Sequence, residues 1–127
     1  MNVSKIADML GIPRANVALV GSKFICGAGN DWDFLVITEE ENLRNAGFVP
    51  DIDDDLYPGD FTSFRRGNIN LILTDDYGFF CSEYAIACAA RALYLGYGGD
   101  MKTRESRVEF HGIVRDLVSD RITEIPF

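Results

Sequence analysis

Apolar positions along this chain change their period several times, and each change marks an element. Ile6, Ala7 and Leu10 share one face of a short helix that Ser4 can cap and that Gly11 and Pro13 end. Asn16 to Val20 reads as a first strand. Trp32 to Thr38 reads as a second, nearly all apolar after its aspartates, as a central strand covered on both faces should be. Glu39 to Ala46 carries acids at the positive end of a short helix that Gly47 closes, and Phe48 to Ile52 is a brief strand. Tyr57-Pro58-Gly59-Asp60 is turn chemistry. Phe61 to Arg66 and Ile69 to Thr74 then flank Gly67-Asn68 as the arms of a two-residue hairpin.

The last third changes to a helical period. Phe79 to Tyr97 is rich in alanine and large apolar residues until Gly96, Gly98 and Gly99 stop it. Thr103 or Asp100 can start a second helix, in which Phe110, Ile113, Val114, Leu117 and Val118 recur at helical spacing. These elements read as strands and short helices followed by a C-terminal helical hairpin, the ingredients of an α/β fold. With no internal repeat or linker, residues 1–127 read as one domain, its sheet about 16–75 and its helical hairpin about 79–120.

Composition narrows the classes. A chain of 127 residues with 47% hydrophobic content is the size of a single core. The apolar segment Tyr84 to Leu95 is too short to span a bilayer and contains Arg91, and the N-terminus has no secretory pattern, so the expected location is the cytoplasm and no membrane partner is expected. Cys26, Cys81 and Cys88 form neither an even disulfide set nor a zinc spacing with His111. Net charge is -8, and residues 31–60 hold ten acids against Arg44 alone. Such a surface repels a phosphate backbone, which disfavours direct duplex binding. The acidic segment, with Glu39-Glu40-Glu41 and Asp51, Asp53, Asp54 and Asp55, has three readings: solvated loops and a helix start, accessory acids for a metal, or a docking surface for a basic protein.

One pattern carries chemistry. Val20-Gly21-Ser22 ends the first strand, and Asp31-Trp32-Asp33-Phe34 follows after a short spacer. Alternation along a strand sends Asp31 and Asp33 the same way, with Cα atoms roughly 7 Å apart, a geometry that can hold a divalent metal. Gly21 lets the backbone turn tightly beneath a phosphate, and Ser22 offers a hydroxyl and an amide there. Two aligned acids beside a Gly-Ser strand end are costly without a cation; the alternative is an Asx-type turn into the strand.

These residues resemble the nucleotidyltransferase superfamily that includes DNA polymerase beta, whose motif is hydrophobic-Gly-[Gly/Ser], a spacer, then Asp-hydrophobic-[Asp/Glu]-hydrophobic. VGSKFICGAGNDWDF matches every element, and the short spacer Lys23 to Asn30 resembles small phage-encoded members. The resemblance implies an α/β fold, a small mixed sheet of nucleotidyltransferase topology with the C-terminal helical hairpin packed on it, over about residues 16 to 120, and a location in the host cytoplasm if the chain is phage-encoded. It implies Mg²⁺ at Asp31 and Asp33, triphosphate at Gly21 and Ser22, and transfer of a nucleotide from a nucleoside triphosphate to an acceptor. It also implies a third carboxylate on the strand Ile69-Asn70-Leu71-Ile72, where this chain has Asn70. An amide offers a neutral oxygen but neither takes a proton nor adds charge. Asn70 therefore leaves open a nucleotide-binding sensor or an inactive, acidic protein-binding factor, unless Asp60, Asp75 or Asp76 reaches the metal.

Secondary candidates surround this set. Lys23 can pair with triphosphate or stand in solvent. Arg65 and Arg66 face opposite ways, so one of them can enter the cleft, and Arg66 is the candidate with Arg107, which resembles a basic position in the phage relatives. Arg107 can instead pair with Glu105 or Asp100. His111 has no evident acid partner. The Gly27-Ala28-Gly29-Asn30 spacer can close over a ligand or form an ordinary turn.

Overall fold

The computed structural model describes residues 1–51 and 62–124, with the side chains of 119–124 excepted. The expected turn at Tyr57 to Asp60, and with it Asp53, Asp54, Asp55 and Asp60, lies outside the described residues. The rest is an α/β arrangement: a five-stranded mixed sheet of order β1-β2-β5-β4-β3, helices on both faces, and two long C-terminal helices.

The strands are β1 (Val17–Val20), β2 (Trp32–Val36), β3 (Val49–Pro50), β4 (Thr62–Arg66) and β5 (Ile69–Leu73). β2 and β5 are the central, parallel pair, with β1 antiparallel to β2 and β4 antiparallel to both β5 and β3. Their shared burial explains the apolar runs Phe34-Leu35-Val36 and Leu71-Ile72. A parallel pair needs a crossover, and here the chain leaves β2 through a helix, β3 and β4 before returning. Gly67 at φ +60° makes the tight β4–β5 turn, and the Asn68 carbonyl accepts from the Trp32 amide at 2.8 Å, tying that turn to β2.

Helices α1 (Val3–Leu10) and α3 (Glu40–Asn45) cover one face of the sheet. Ile6, Ala7, Leu10 and Leu43 pack there against Phe34, Val36, Phe64 and Leu71. α1 begins earlier than expected. Asn2, not Ser4, is its cap, with the Asn2 side chain accepting from the Lys5 amide at 2.9 Å, while the Ser4 hydroxyl accepts from the Arg14 guanidinium.

On the other face lie α2 (Gly21–Cys26) and α4 (Tyr77–Tyr97), where Val20, Leu35 and Ile72 meet Phe80 and Ala87. α2 is a correction: the first half of the expected loop spacer is a helix, beginning at Gly21 itself and ended by Gly27 at φ +75°. α4 starts two residues before the expected Phe79 because Asp76 caps it through the Phe79 amide. α5 (Arg104–Glu124) starts after Thr103, whose hydroxyl accepts from the Ser106 amide at 3.1 Å. α4 and α5 pack through Ile86, Ala90 and Val114, with Ile25 and Met101. Ile113 and Leu117, expected on the inner face of α5, are instead about half exposed. Among the described residues no helix is long and apolar enough to cross a membrane.

Candidate functional site

The parallel pairing of β2 with β5 sets the site. Register places Val20 opposite Asp33, Asp33 opposite Asn70, and Asn70 opposite Arg65, so one row of the sheet brings those side chains to the α2 face. Asp31 lies just before β2 rather than on it, and Asp51 just after β3, its amide donating to the Ser63 carbonyl at 2.7 Å.

Asp31, Asp33, Asp51, Arg65 and Asn70 line a cleft of about 330 Å³. Ser22, Gly29 and Asn30 form one wall, and Arg104, Arg107 and Val108 from the first turns of α5 form the other. Arg104 and Arg107 share a helix face because they are three residues apart. The cleft thus brings the acids Asp31, Asp33 and Asp51 together with the arginines Arg65, Arg104 and Arg107.

Arg65 bridges two of the acids. Its Nε donates to Asp51 Oδ2 at 2.7 Å and its Nη1 pairs with Asp31 Oδ2 at 3.2 Å. The hydrogen bond to Asp51 holds the guanidinium more firmly protonated; burial opposes this and the Asp31 charge adds to it. Asn70 is 5% exposed and held at both ends of its amide. The Ser63 hydroxyl donates to its Oδ1 at 2.6 Å, and its Nδ2 donates to Asp33 Oδ1 at 3.2 Å. So oriented, Asn70 offers Asp33 a donor and keeps its oxygen for Ser63.

Gly21 is where the fold depends on glycine. At φ +76°, a Cβ built there would lie 2.9 Å from both Cβ and Cγ of Asp33 and closer still to Oδ2. The Asp33 carboxylate therefore rests directly over the Gly21 backbone. Gly29 is similarly close to Ser22, whose Oγ would lie 2.5 Å from an added Cβ, so the spacer folds back over the start of α2.

Of the residues singled out from the sequence, Ser22, Asp31, Asp33, Asn70 and Arg107 line the cleft, with Gly21 beneath Asp33. Lys23 does not line it; its ammonium lies 5.2 Å over the Trp32 ring. Arg66 points to the opposite face, where it donates to the Ala46 carbonyl at 2.6 Å and stacks on Phe48. Arg65 is the arginine that enters. Arg107 donates to the Met101 carbonyl at 3.3 Å. Asp75 and Asp76 sit beyond the opposite end of β5 from Asn70, Asp75 in a second hollow with Glu39, Glu40 and Thr38. His111 is buried between α4 and α5, where burial and the Arg115 charge push its pKa down to about 4.

Of the cleft residues, Arg104 carries no motif signal, Asp51 stands in the sequence only as one member of the acidic run, and Arg65 only as the alternative to Arg66. Counting back from Asn70 through the two-residue turn would have found Arg65, and the i, i+3 spacing from Arg107 would have found Arg104. Asp51 sits in an acidic run whose other members hide it.

Hard carboxylate oxygens are the right kind of donor for Mg²⁺, and Asp31 and Asp33 would supply them. Among the described residues no three His, Cys, Asp or Glu side chains converge as a metal-holding group, and Arg65 occupies Asp31 and Asp51 as a built-in counter-ion. A divalent ion at Asp31 would therefore compete with the Arg65 guanidinium for that carboxylate. Compared with known proteins, the sequence matches no family model, and neither the curated proteins nor the solved structures gave a match.

Proposed function

We propose that the cleft binds a nucleoside triphosphate with Mg²⁺ and that the chain is a nucleotidyltransferase-like protein, transferring a nucleotide to an acceptor. The observation that carries this reading is the division of charge in the cleft: Asp31, Asp33 and Asp51 on the floor, Arg104 and Arg107 on the α5 wall. A metal–triphosphate is itself divided, cationic at the metal and anionic at the phosphate oxygens, and fits such a cleft one way round. The Gly-Ser pair, both aspartates and position 70 of the resembling motif also meet in this one place.

In this reading Asp31 and Asp33 hold the metal, whose chemistry is to neutralise charge on attacking and leaving oxygens. Ser22 and the guanidinium groups of Arg104 and Arg107 orient the phosphates. Ser63, through Asn70, fixes the rotamer of Asp33. A second reading, nucleotide binding without turnover, is favoured by the Asn70 amide: it donates to Asp33 and cannot accept the proton of a nucleophile.

Thermal shift with Mg-ATP, Mg-CTP and the other nucleoside triphosphates tests both. A ligand at 100 times its Kd adds about 2.7 kcal/mol to stability. A rise in Tm should disappear in Asp31→Ala with Asp33→Ala. Absence of any shift at millimolar nucleotide would overturn the proposal and its sensor variant together. Incubation with labelled nucleotide and cell extract then separates them, since label transferred to RNA or protein in an Asp33-dependent way marks the enzyme.

A further inference from the structure

The outward face of α4 is unlike the rest of the surface. Tyr77, Cys81, Tyr84, Cys88, Arg91 and Leu95 are all exposed and advance by alternate steps of four and three residues. That is the 3.5-residue period of a helix-packing seam. The row one residue further on is entirely Gly, Ser or Ala, which lets another backbone come close. Charged residues make up 25% of the sequence, yet α4 holds only Glu83 and Arg91. Glu83 is buried against Arg115, so Arg91 is the lone charge on the outward face. A helix apolar all round is one that is covered all round, and apart from the Phe24 ring at its edge no described element of this chain covers that face.

The size of the patch can be set against what an interface needs. Tyr77 is 55%, Tyr84 41% and Leu95 70% exposed. With roughly 200 Å² for an aromatic side chain, these residues and the small ones between them present on the order of 500 Å². Two such faces bury about 1,000 Å², the lower bound of a specific association.

We infer that the face pairs with a second copy of this chain, α4 against α4 in antiparallel sense about a two-fold axis at the level of Ile86. The 4-3-4-3-4 spacing reads the same in both directions. Antiparallel pairing sets Tyr84 of one copy opposite Cys88 of the other and Tyr77 opposite Leu95, large against small at the centre. Charge on this face does not oppose that occupant. Two copies with a net charge of -8 each repel over most of their surfaces, whereas this face offers no acid. Antiparallel helices also set opposite dipole ends together. From beneath, the Phe24 ring of α2 supports both Tyr84, at 6.1 Å between centroids, and Arg91, at 5.0 Å, so the seam is braced before a partner arrives.

Sedimentation of the full chain from about 1 to about 300 µM should resolve a monomer–dimer equilibrium. Ala85→Glu and Leu95→Glu each alter an exposed side chain, and each should weaken the dimer by about tenfold or more while leaving circular dichroism and low-concentration melting unchanged. A wild-type chain that stays monomeric throughout, or a dimer retained in both variants, overturns the inference. Orientation is read by cross-linking with Cys81→Ser and Cys88→Ser in place: Tyr77→Cys with Leu95→Cys should join two copies and Leu95→Cys alone should not. Joining by Leu95→Cys alone would mean parallel pairing and would overturn the antiparallel arrangement.

Discussion

Replacing Gly21 by alanine tests the most specific contact in the cleft, because it separates backbone conformation from side-chain collision. Gly21 and Gly27 stand at either end of α2 with nearly the same φ, +76° and +75°. Either substitution carries the left-handed penalty of about 1–2 kcal/mol. At Gly27 nothing lies within 4 Å of an added Cβ, so that penalty is the whole effect. At Gly21 the Cβ would be 2.9 Å from Asp33 Cβ and Cγ. Asp33 cannot simply swing away, since Asn70 holds its Oδ1 at 3.2 Å. Overpacking of this kind adds about 1–3 kcal/mol, for a total of about 2–5 kcal/mol. Urea unfolding of the two variants beside the wild type measures the difference. Equal losses for Gly21→Ala and Gly27→Ala would mean that the Asp33 carboxylate does not rest on the Gly21 backbone, and the account of the cleft floor would fail.

Other outcomes follow from named pairs. Arg115→Met strands Glu83, 3% exposed, without its cation, and should cost about 3–5 kcal/mol in urea unfolding, while Glu83→Met with Arg115→Met recovers most of that loss. His111 has its folded pKa depressed to about 4, so the unfolded chain takes up the proton first as pH falls from about 6.5; stability should decline through that window by up to about 3 kcal/mol, and His111→Gln should flatten that part of the profile relative to wild type. Arg65→Gln removes two partly exposed ion pairs and should change stability by no more than about 1 kcal/mol. The same variant should raise Mn²⁺ affinity measured by calorimetry, because Asp31 no longer has a resident cation; unchanged affinity would mean that Arg65 does not compete.

Local signals are legible in the sequence, and relations between distant segments are not. The Gly67-Asn68 hairpin and the long apolar helix at Tyr77–Tyr97 are each encoded within a few residues by turn chemistry or period. α2 was hidden because Gly21-Ser22 reads as a turn and Gly27-Ala28-Gly29 reads as a loop, yet Phe24 and Ile25 find apolar partners on α4 that only tertiary packing supplies. In the cleft, the Gly-Ser and Asp-Trp-Asp pattern located Asp33 and its support. Asp51 and Arg65 escaped because their meeting depends on β3 pairing with β4, a relation no local spacing records. The choice of Arg66 over Arg65 failed by one residue, which on a strand is the difference between the two faces.

That one-residue distinction makes the Gly67-Asn68 turn a selector. It lines no part of the cleft, yet its length determines that Arg65 pairs with Asn70 and Arg66 with Ile69. A slip of one position that set Phe64 opposite Asn70 would withdraw Arg65 from Asp31 and Asp51 and rotate Ser63 away from Asn70 at the same stroke, leaving every residue of the cleft unmutated but its acids without that cation. Insertions and deletions at this turn are therefore a route by which such a fold can pass between a self-neutralised acidic cleft and one open to an external cation, without a single substitution on its walls.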